Sequence, residues 1–270
     1  MRLLFIGGGN MASAIIGGLA ARDFDCDQIL VVDPDSNART RLKAAFGVNS
    51  LPAPDERTEH ANLIVMAAKP QQMRYAAEAI APWVGGALVI TIAAGIRLVD
   101  LARWLGGHQR LVRAMPNMPA LVQAGITALH AAPGVSEDDR AAAGSLLSAV
   151  GATLWFDNED DLDAVTAVSG SGPAYVFYAL EALEEAARKL GIPEGAARSL
   201  ALWTFVGAAK LAIERSDTPA ELRAQVTSQG GTTERALEVL EEGRVKELFI
   251  EAVKAACARS RELGESFGRD

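Results

Sequence analysis

The residues best suited to chemistry form a short run late in the chain. In Val226-Thr227-Ser228-Gln229-Gly230-Gly231-Thr232-Thr233 a glycine pair sits among four hydroxyls. Paired glycines admit positive φ and leave backbone N–H groups uncovered. The helical pattern that resumes with Ala236, Leu237 and Leu240 adds unpaired N–H groups and the positive end of a helix dipole. Such a turn favours an anion, phosphate or carboxylate. An ordinary helix–loop–helix turn capped by Thr232 or Thr233 has the same spacing, and the local sequence does not choose between the two.

A second constellation lies at the start. Leu3-Leu4-Phe5-Ile6 is a continuous apolar run, and Gly7-Gly8-Gly9-Asn10-Met11-Ala12 follows it before a helical pattern begins. This matches the dinucleotide fingerprint in its required context of strand, tight turn and helix. Gly7 permits the turn, Gly9 lets backbone approach a pyrophosphate, and Ala12 permits close packing of helix on strand. Asp33 ends the next apolar run, where a carboxylate accepts hydrogen bonds from an adenosine ribose and repels a 2′-phosphate. That leans towards NAD(H), but Ser36, Asn37, Arg39 and Arg41 lie just beyond and are able to receive a phosphate. Asp33-Pro34-Asp35 also reads as a turn with helix-capping acids.

Other chemistry is sparse. His60, His108 and His130 share no ligand spacing, and no metal site is expected. Ser169-Gly170-Ser171-Gly172 is a helix entry rather than a nucleophile motif. Asp160, Asp161 and Asp163 read as acids complementing a helix dipole. Lys69 is the one charge at the strand exits Ala67-Ala68-Lys69-Pro70, Ala93-Ala94-Gly95 and Met115-Pro116-Asn117-Met118-Pro119. A nucleotide fold without a conspicuous acid or base suits hydride transfer, above all to an imine, which is electrophilic once protonated.

The elements that must position these groups follow from the apolar pattern. Strands are expected at 3–6, 29–32, 63–66, 88–92 and 111–114, with closing strands at 128–130 and 153–156 around a helix from Glu137 to Val150. Ligands bind outside the carboxyl ends of such strands. From Glu159 onward strand signals vanish and helical spacing takes over. The chain therefore divides into an α/β Rossmann-type NAD(P)-binding domain, 1–158, and an all-α domain for dimerisation and substrate binding, 159–270. Between Arg198 and Lys210 one helix carries no charge, and a helix apolar all round must be covered on every side, by a partner subunit or, as the alternative, by a core within the chain; a partner is the expectation. Its uncharged stretch, Ser199 to Ala209, is too short to span a bilayer. A net charge of −8 among 270 residues argues against nucleic acid, and two distant cysteines, Cys26 and Cys257, fit a reduced cytoplasmic setting.

The chain resembles the Δ1-pyrroline-5-carboxylate reductase family. The likeness covers essentially its whole length. It rests on Gly7 to Ala12, Ala68-Lys69-Pro70-Gln71, Ala93-Ala94-Gly95, Arg113 to Asn117, Ala167 to Tyr175 and, most specifically, Pro219 to Leu237. The resemblance implies NADPH- or NADH-dependent reduction of a cyclic imine to L-proline. It also implies a Rossmann domain with an interlocking helical dimer domain, with five dimers forming a decamer in several members. The active site is implied to combine one subunit's cofactor domain with helical residues at the dimer interface. Ser228, Gly230, Gly231, Thr232 and Thr233 are implied to bind the substrate carboxylate, and Thr233 and Ser228 to act in catalysis, with the Thr233 hydroxyl near the imine nitrogen. Gly7, Gly9, Asn10, Met11, Ala12, Asp33, Ser36, Ala68, Lys69, Pro70, Ala93 and Asn117 are the expected cofactor residues. Two positions depart from the family: Met118 stands where Thr is common, and Gln229 where Pro is frequent. The rival reading is another two-domain imine reductase or a β-hydroxyacid dehydrogenase, which wants a general acid/base on the long central helix.

Overall fold

A computed structural model describes residues 1–269. Eight strands form one sheet: β1 (Leu3–Ile6), β2 (Ile29–Val32), β3 (Asn49–Leu51), β4 (Leu63–Met66), β5 (Leu88–Thr91), β6 (Leu111–Met115), β7 (Gly125–Ala131) and β8 (Gly151–Trp155). Their order is β3-β2-β1-β4-β5-β6-β7-β8. The first six run parallel, β7 pairs antiparallel with β6, and β8 runs parallel to β7. The chain steps outward from β1 to β3, then returns to β4 on the other side of β1. That reversal opens a crevice at the carboxyl ends of β1 and β4.

Alternate residues of each strand feed two cores. Leu3, Phe5, Val31, Val65 and Ile90 pack with α1 (Asn10–Ala20), α2 (Ser36–Phe46) and α5 (Glu137–Ser148). Leu4, Ile6, Val32, Met66 and Val89 pack with α3 (Met73–Ile80) and α4 (Leu98–Trp104). Burial on both faces explains why these strands read as continuous apolar runs. β3 was not expected: it is a three-residue edge strand in which only Leu51 is buried.

α6 (Asp161–Val165) runs into one π-helical turn, Thr166–Gly170, and the rest of the described chain is helical. It comprises α7 (Gly172–Lys189), α8 (Glu194–Glu214), α9 (Pro219–Gln225), α10 (Thr232–Glu242) and α11 (Val245–Arg269). The compact units are 1–171 with 256–270, and 172–255. The expected boundary at 158/159 therefore differs from the division by compactness at both ends of the helical segment. Local pairing explains the difference. The buried Ser260 hydroxyl donates to Asp163 Oδ1 at 2.8 Å, and Phe267 joins the α3–α4 core.

α8 differs from the sequence reading in length. Its 21 residues are long and apolar enough to cross a membrane by length and mean hydropathy. Glu194, Arg198, Lys210 and Glu214 nonetheless confine its uncharged part to Ser199–Ala209.

Candidate active site

The glycine turn of the α/β unit is built by backbone. Gly7 has φ +105°, and a Cβ there would stand 2.7 Å from the Ala67 carbonyl oxygen, so β1 and β4 exit side by side only with glycine. Gly9 has the opposite surroundings: a Cβ on it would meet no protein atom within 4 Å. α1 begins at Gly9 with no side-chain cap and no acid in its first turn. Its leading N–H groups and positive dipole end are therefore unclaimed by side chains beside open space, which fits a dinucleotide pyrophosphate. Ala12 is fully buried.

Asp33 does not stand free at the end of β2. Its carboxylate accepts from Gly8 N–H at 2.6 Å and from Asp35 N–H at 2.8 Å, strapping the glycine turn to β2. Arg39 donates to the carbonyls of Asp33 and Pro34 at 2.6 and 3.0 Å, and Arg41 to that of Gly8 at 3.1 Å. Both guanidinium groups named beside Asp33 in the sequence thus sit at the end of β2, held by main-chain carbonyls. Ser36 is exposed as the first residue of α2, which Asp35 caps.

The remaining expected cofactor residues line neighbouring strand exits. Ala68, Lys69 and Pro70 follow β4, and Lys69 is exposed with no ion pair among the described residues. Ala93 is buried after β5. Asn117 follows β6, but its carboxamide is committed to the fold: it donates to the Ser169 carbonyl at 3.1 Å and accepts from Ile126 N–H at 3.0 Å.

Behind these exits lies an ion network that the sequence reading missed. Asp163 is wholly buried and pairs with Arg97 at 2.8 Å and with the buried Arg113 at 3.6 Å. Arg113 also meets Glu159 at 3.1 Å, and Arg97 meets Asp160. The dipole reading fits the exposed Asp161 but not Asp163, whose partners come from β6 and the β5–α4 turn. Burial acts to lower the Arg97 pKa, but hydrogen bonding to Asp160 and the charges of Asp163 and its neighbours hold it above the ordinary value. Gly95 is positive in φ, and a Cβ there would stand 3.2 Å from the Phe267 ring, so α11 buttresses the turn after β5.

The helical unit holds the second constellation. α9 ends at Gln225, and Ser228 to Thr233 fold into a single turn that starts α10. Gly230 has φ +71°, and a Cβ on Gly231 would stand 2.5 Å from Ser228 Oγ, so each glycine has its own steric reason. α10 is capped by Gly231 with no side-chain bond. Neither Thr232 nor Thr233 is the cap that the bland reading required. The Ser228, Thr232 and Thr233 hydroxyls make no hydrogen bond within the described residues, whereas Thr227 Oγ1 donates to the Arg223 carbonyl at 2.7 Å. The glycine N–H groups are engaged: Gly231 donates to the Ser228 carbonyl at 3.0 Å and Gly230 to Glu234 Oε2 at 2.6 Å.

Residues 159–263 match the family model for pyrroline-5-carboxylate reductase dimerisation, and residues 2–95 match that for NADP oxidoreductase, coenzyme F420-dependent. A pyrroline-5-carboxylate reductase of Pseudomonas aeruginosa is 42% identical over 99% of this chain and 98% of its own. The chain belongs to the pyrroline-5-carboxylate reductase family. Among solved structures, a pyrroline-5-carboxylate reductase from Coxiella burnetii is 40% identical with TM-score 0.92, covering 97% of this chain and 98% of its own. Pyrroline carboxylate reductase of Plasmodium falciparum, solved with NADP bound, is 28% identical with TM-score 0.88, each chain 98% covered.

Proposed function

We propose that this protein is a pyrroline-5-carboxylate reductase in which the free hydroxyls of Ser228, Thr232 and Thr233 receive the substrate at the start of α10. The observation that carries this reading is the pairing of family membership with an uncapped helix start whose hydroxyls have no other partner. The enzyme reduces L-Δ1-pyrroline-5-carboxylate to L-proline with NAD(P)H.

A nicotinamide held in the site would supply the hydride that turns the carbon of a protonated C=N into that of a secondary amine. The protein's own contribution is position and electrostatics. The N–H groups of Asn10, Met11 and Ala12 would hold the pyrophosphate, and the turns with Ala68–Pro70 and Ala93 would hold the nicotinamide end. Thr233 directs its hydroxyl at the imine nitrogen while the positive end of α10 attracts the carboxylate. Asp33 favours a free ribose, but its carboxylate is engaged by two N–H groups and offset by Arg39 and Arg41. Both NADH and NADPH are therefore accepted.

The subunit pairs with a second copy through α7, α8 and the start of α11, whose Phe177, Trp203 and Phe249 are exposed in the single chain. That partner, rather than a membrane, covers α8. The free thiols Cys26 and Cys257 agree with a cytoplasmic setting.

Oxidation of NADPH and of NADH is to be followed side by side with pyrroline-5-carboxylate. Turnover with both is expected, and turnover with neither overturns the proposal. Thr233→Ala is expected to raise KM for the imine about tenfold, the scale of one lost hydrogen bond to a charged group. Its affinity for the dinucleotide, read by fluorescence titration, should stay within twofold.

A further inference from the structure

We propose that Glu234 is an internal competitor for the substrate carboxylate and so sets the affinity of the enzyme for its anionic substrate and product. The inference rests on the proposal that the Ser228–Thr233 turn is the carboxylate site.

The geometry sets Glu234 apart from an ordinary capping glutamate. In a capping box the third helical residue reaches back to the N-cap N–H while the cap side chain reaches forward. α9 does this in the same unit: Glu221 accepts from Thr218 N–H at 2.7 Å, and Thr218 Oγ1 accepts from Glu221 N–H at 3.3 Å. α10 does not. Its N-cap is Gly231, which has no side chain to reciprocate, and the Gly231 N–H already serves the Ser228 carbonyl. Glu234 passes over it to the next residue out and takes the N–H of Gly230 at 2.6 Å. The half-buried Glu234 has no ion pair among the described residues.

A carboxylate therefore already sits on one of the two glycine N–H groups in this turn, at the positive end of α10. An incoming carboxylate seeking the same donor must displace it, and meets a like charge beside it if it does not. The N–H groups and hydroxyls of Thr232 and Thr233 are left for the substrate without competition. The balance weakens carboxylate binding, and it weakens it for product as for substrate, which favours release of the amino acid.

Steady-state kinetics of the full chain, at saturating NADPH with pyrroline-5-carboxylate varied, test this in Glu234→Ala, Glu234→Gln and Thr233→Ala. Glu234→Ala is expected to lower KM for the imine about three- to tenfold, the scale of one hydrogen bond released for an anion. L-Proline inhibition should tighten by a similar factor. Glu234→Gln keeps an acceptor for Gly230 N–H but removes the charge, so its KM should lie between those of wild type and Glu234→Ala. A glutamate that merely caps α10 predicts a lower melting temperature with KM unchanged. That result overturns the inference, as does a raised KM in Glu234→Ala. If Thr233→Ala raises KM while both Glu234 variants leave it unmoved, the turn binds substrate and Glu234 does not compete. If none of the three moves KM, the site assignment itself falls.

Discussion

A Cβ at Gly7 would press on the Ala67 carbonyl at 2.7 Å while the backbone holds φ +105°. Neither strain can be relieved by a rotamer, because the opposing atoms are main chain. Gly7→Ala is therefore expected to cost roughly 2–3 kcal/mol in urea unfolding, the scale of one residue forced into a left-handed region against a close neighbour. Dinucleotide affinity should fall with it, since the turn carries Gly9 to α1. A variant of unchanged stability and affinity would show that the turn relaxes freely. Gly9→Ala makes the useful contrast: its Cβ meets no protein, so stability should hold while affinity drops. The fingerprint was legible at this scale because each glycine has a local reason. Glu234 was not, since its bond depends on the Gly231 N–H being engaged elsewhere, which no spacing rule reveals.

The parallel strands were legible because both faces are buried and their residues run apolar without break. What escaped the pattern was long-range pairing. Asp163 lies next to Leu162 in a helix start like many others, yet its partners Arg97, Arg113 and Ser260 come from three distant elements. Removing its charge leaves Arg113 only Glu159 and Arg97 only Asp160, and takes the acceptor from the buried Ser260 hydroxyl, a loss on the order of 3 kcal/mol. Asp163→Ala should show that loss in chemical denaturation, and limited proteolysis should then cut earlier near the C-terminus as α11 loosens. A second tie predicts acid behaviour. The hydrogen bond from Arg110 holds the Asp139 pKa below the ordinary value, against the opposing effect of burial, with Ser136 adding to the lowering. A lowered folded pKa means stability present above the ordinary value of about 3.9 and lost as pH falls through the folded one. Arg110→Met should flatten the acid limb of stability against pH, measured by urea midpoints between about pH 2 and pH 5. An unchanged limb would assign the acid sensitivity to other carboxylates.

At the scale of the molecule the main question is what covers α8. Only Ala197 and Ala201 of its 21 residues are buried in the single chain, and Trp203 is 72% exposed. Exposed aromatic and aliphatic side chains on this scale exceed what a monomeric surface normally carries. The uncharged pattern pointed to a partner from sequence alone, and residues 159–263 match a family model for dimerisation, which supports the second copy proposed above. Obligate interfaces are apolar at the centre and depleted of charge there. In the proposed dimer a charge placed at Trp203 would be buried without a counter-ion in both subunits, because a twofold brings the same patch against itself or its equivalent. Trp203→Glu is therefore expected to shift the protein to a monomer in sedimentation velocity at micromolar concentration. Its far-ultraviolet circular dichroism should stay helical, because α8 is stabilised within the chain by its contact with α7. A sedimentation coefficient unchanged from wild type would mean that α8 is covered elsewhere than at Trp203. A coefficient intermediate between the two species and rising with protein concentration would be the weakened dimer, with the dissociation constant reporting how much Trp203 contributes.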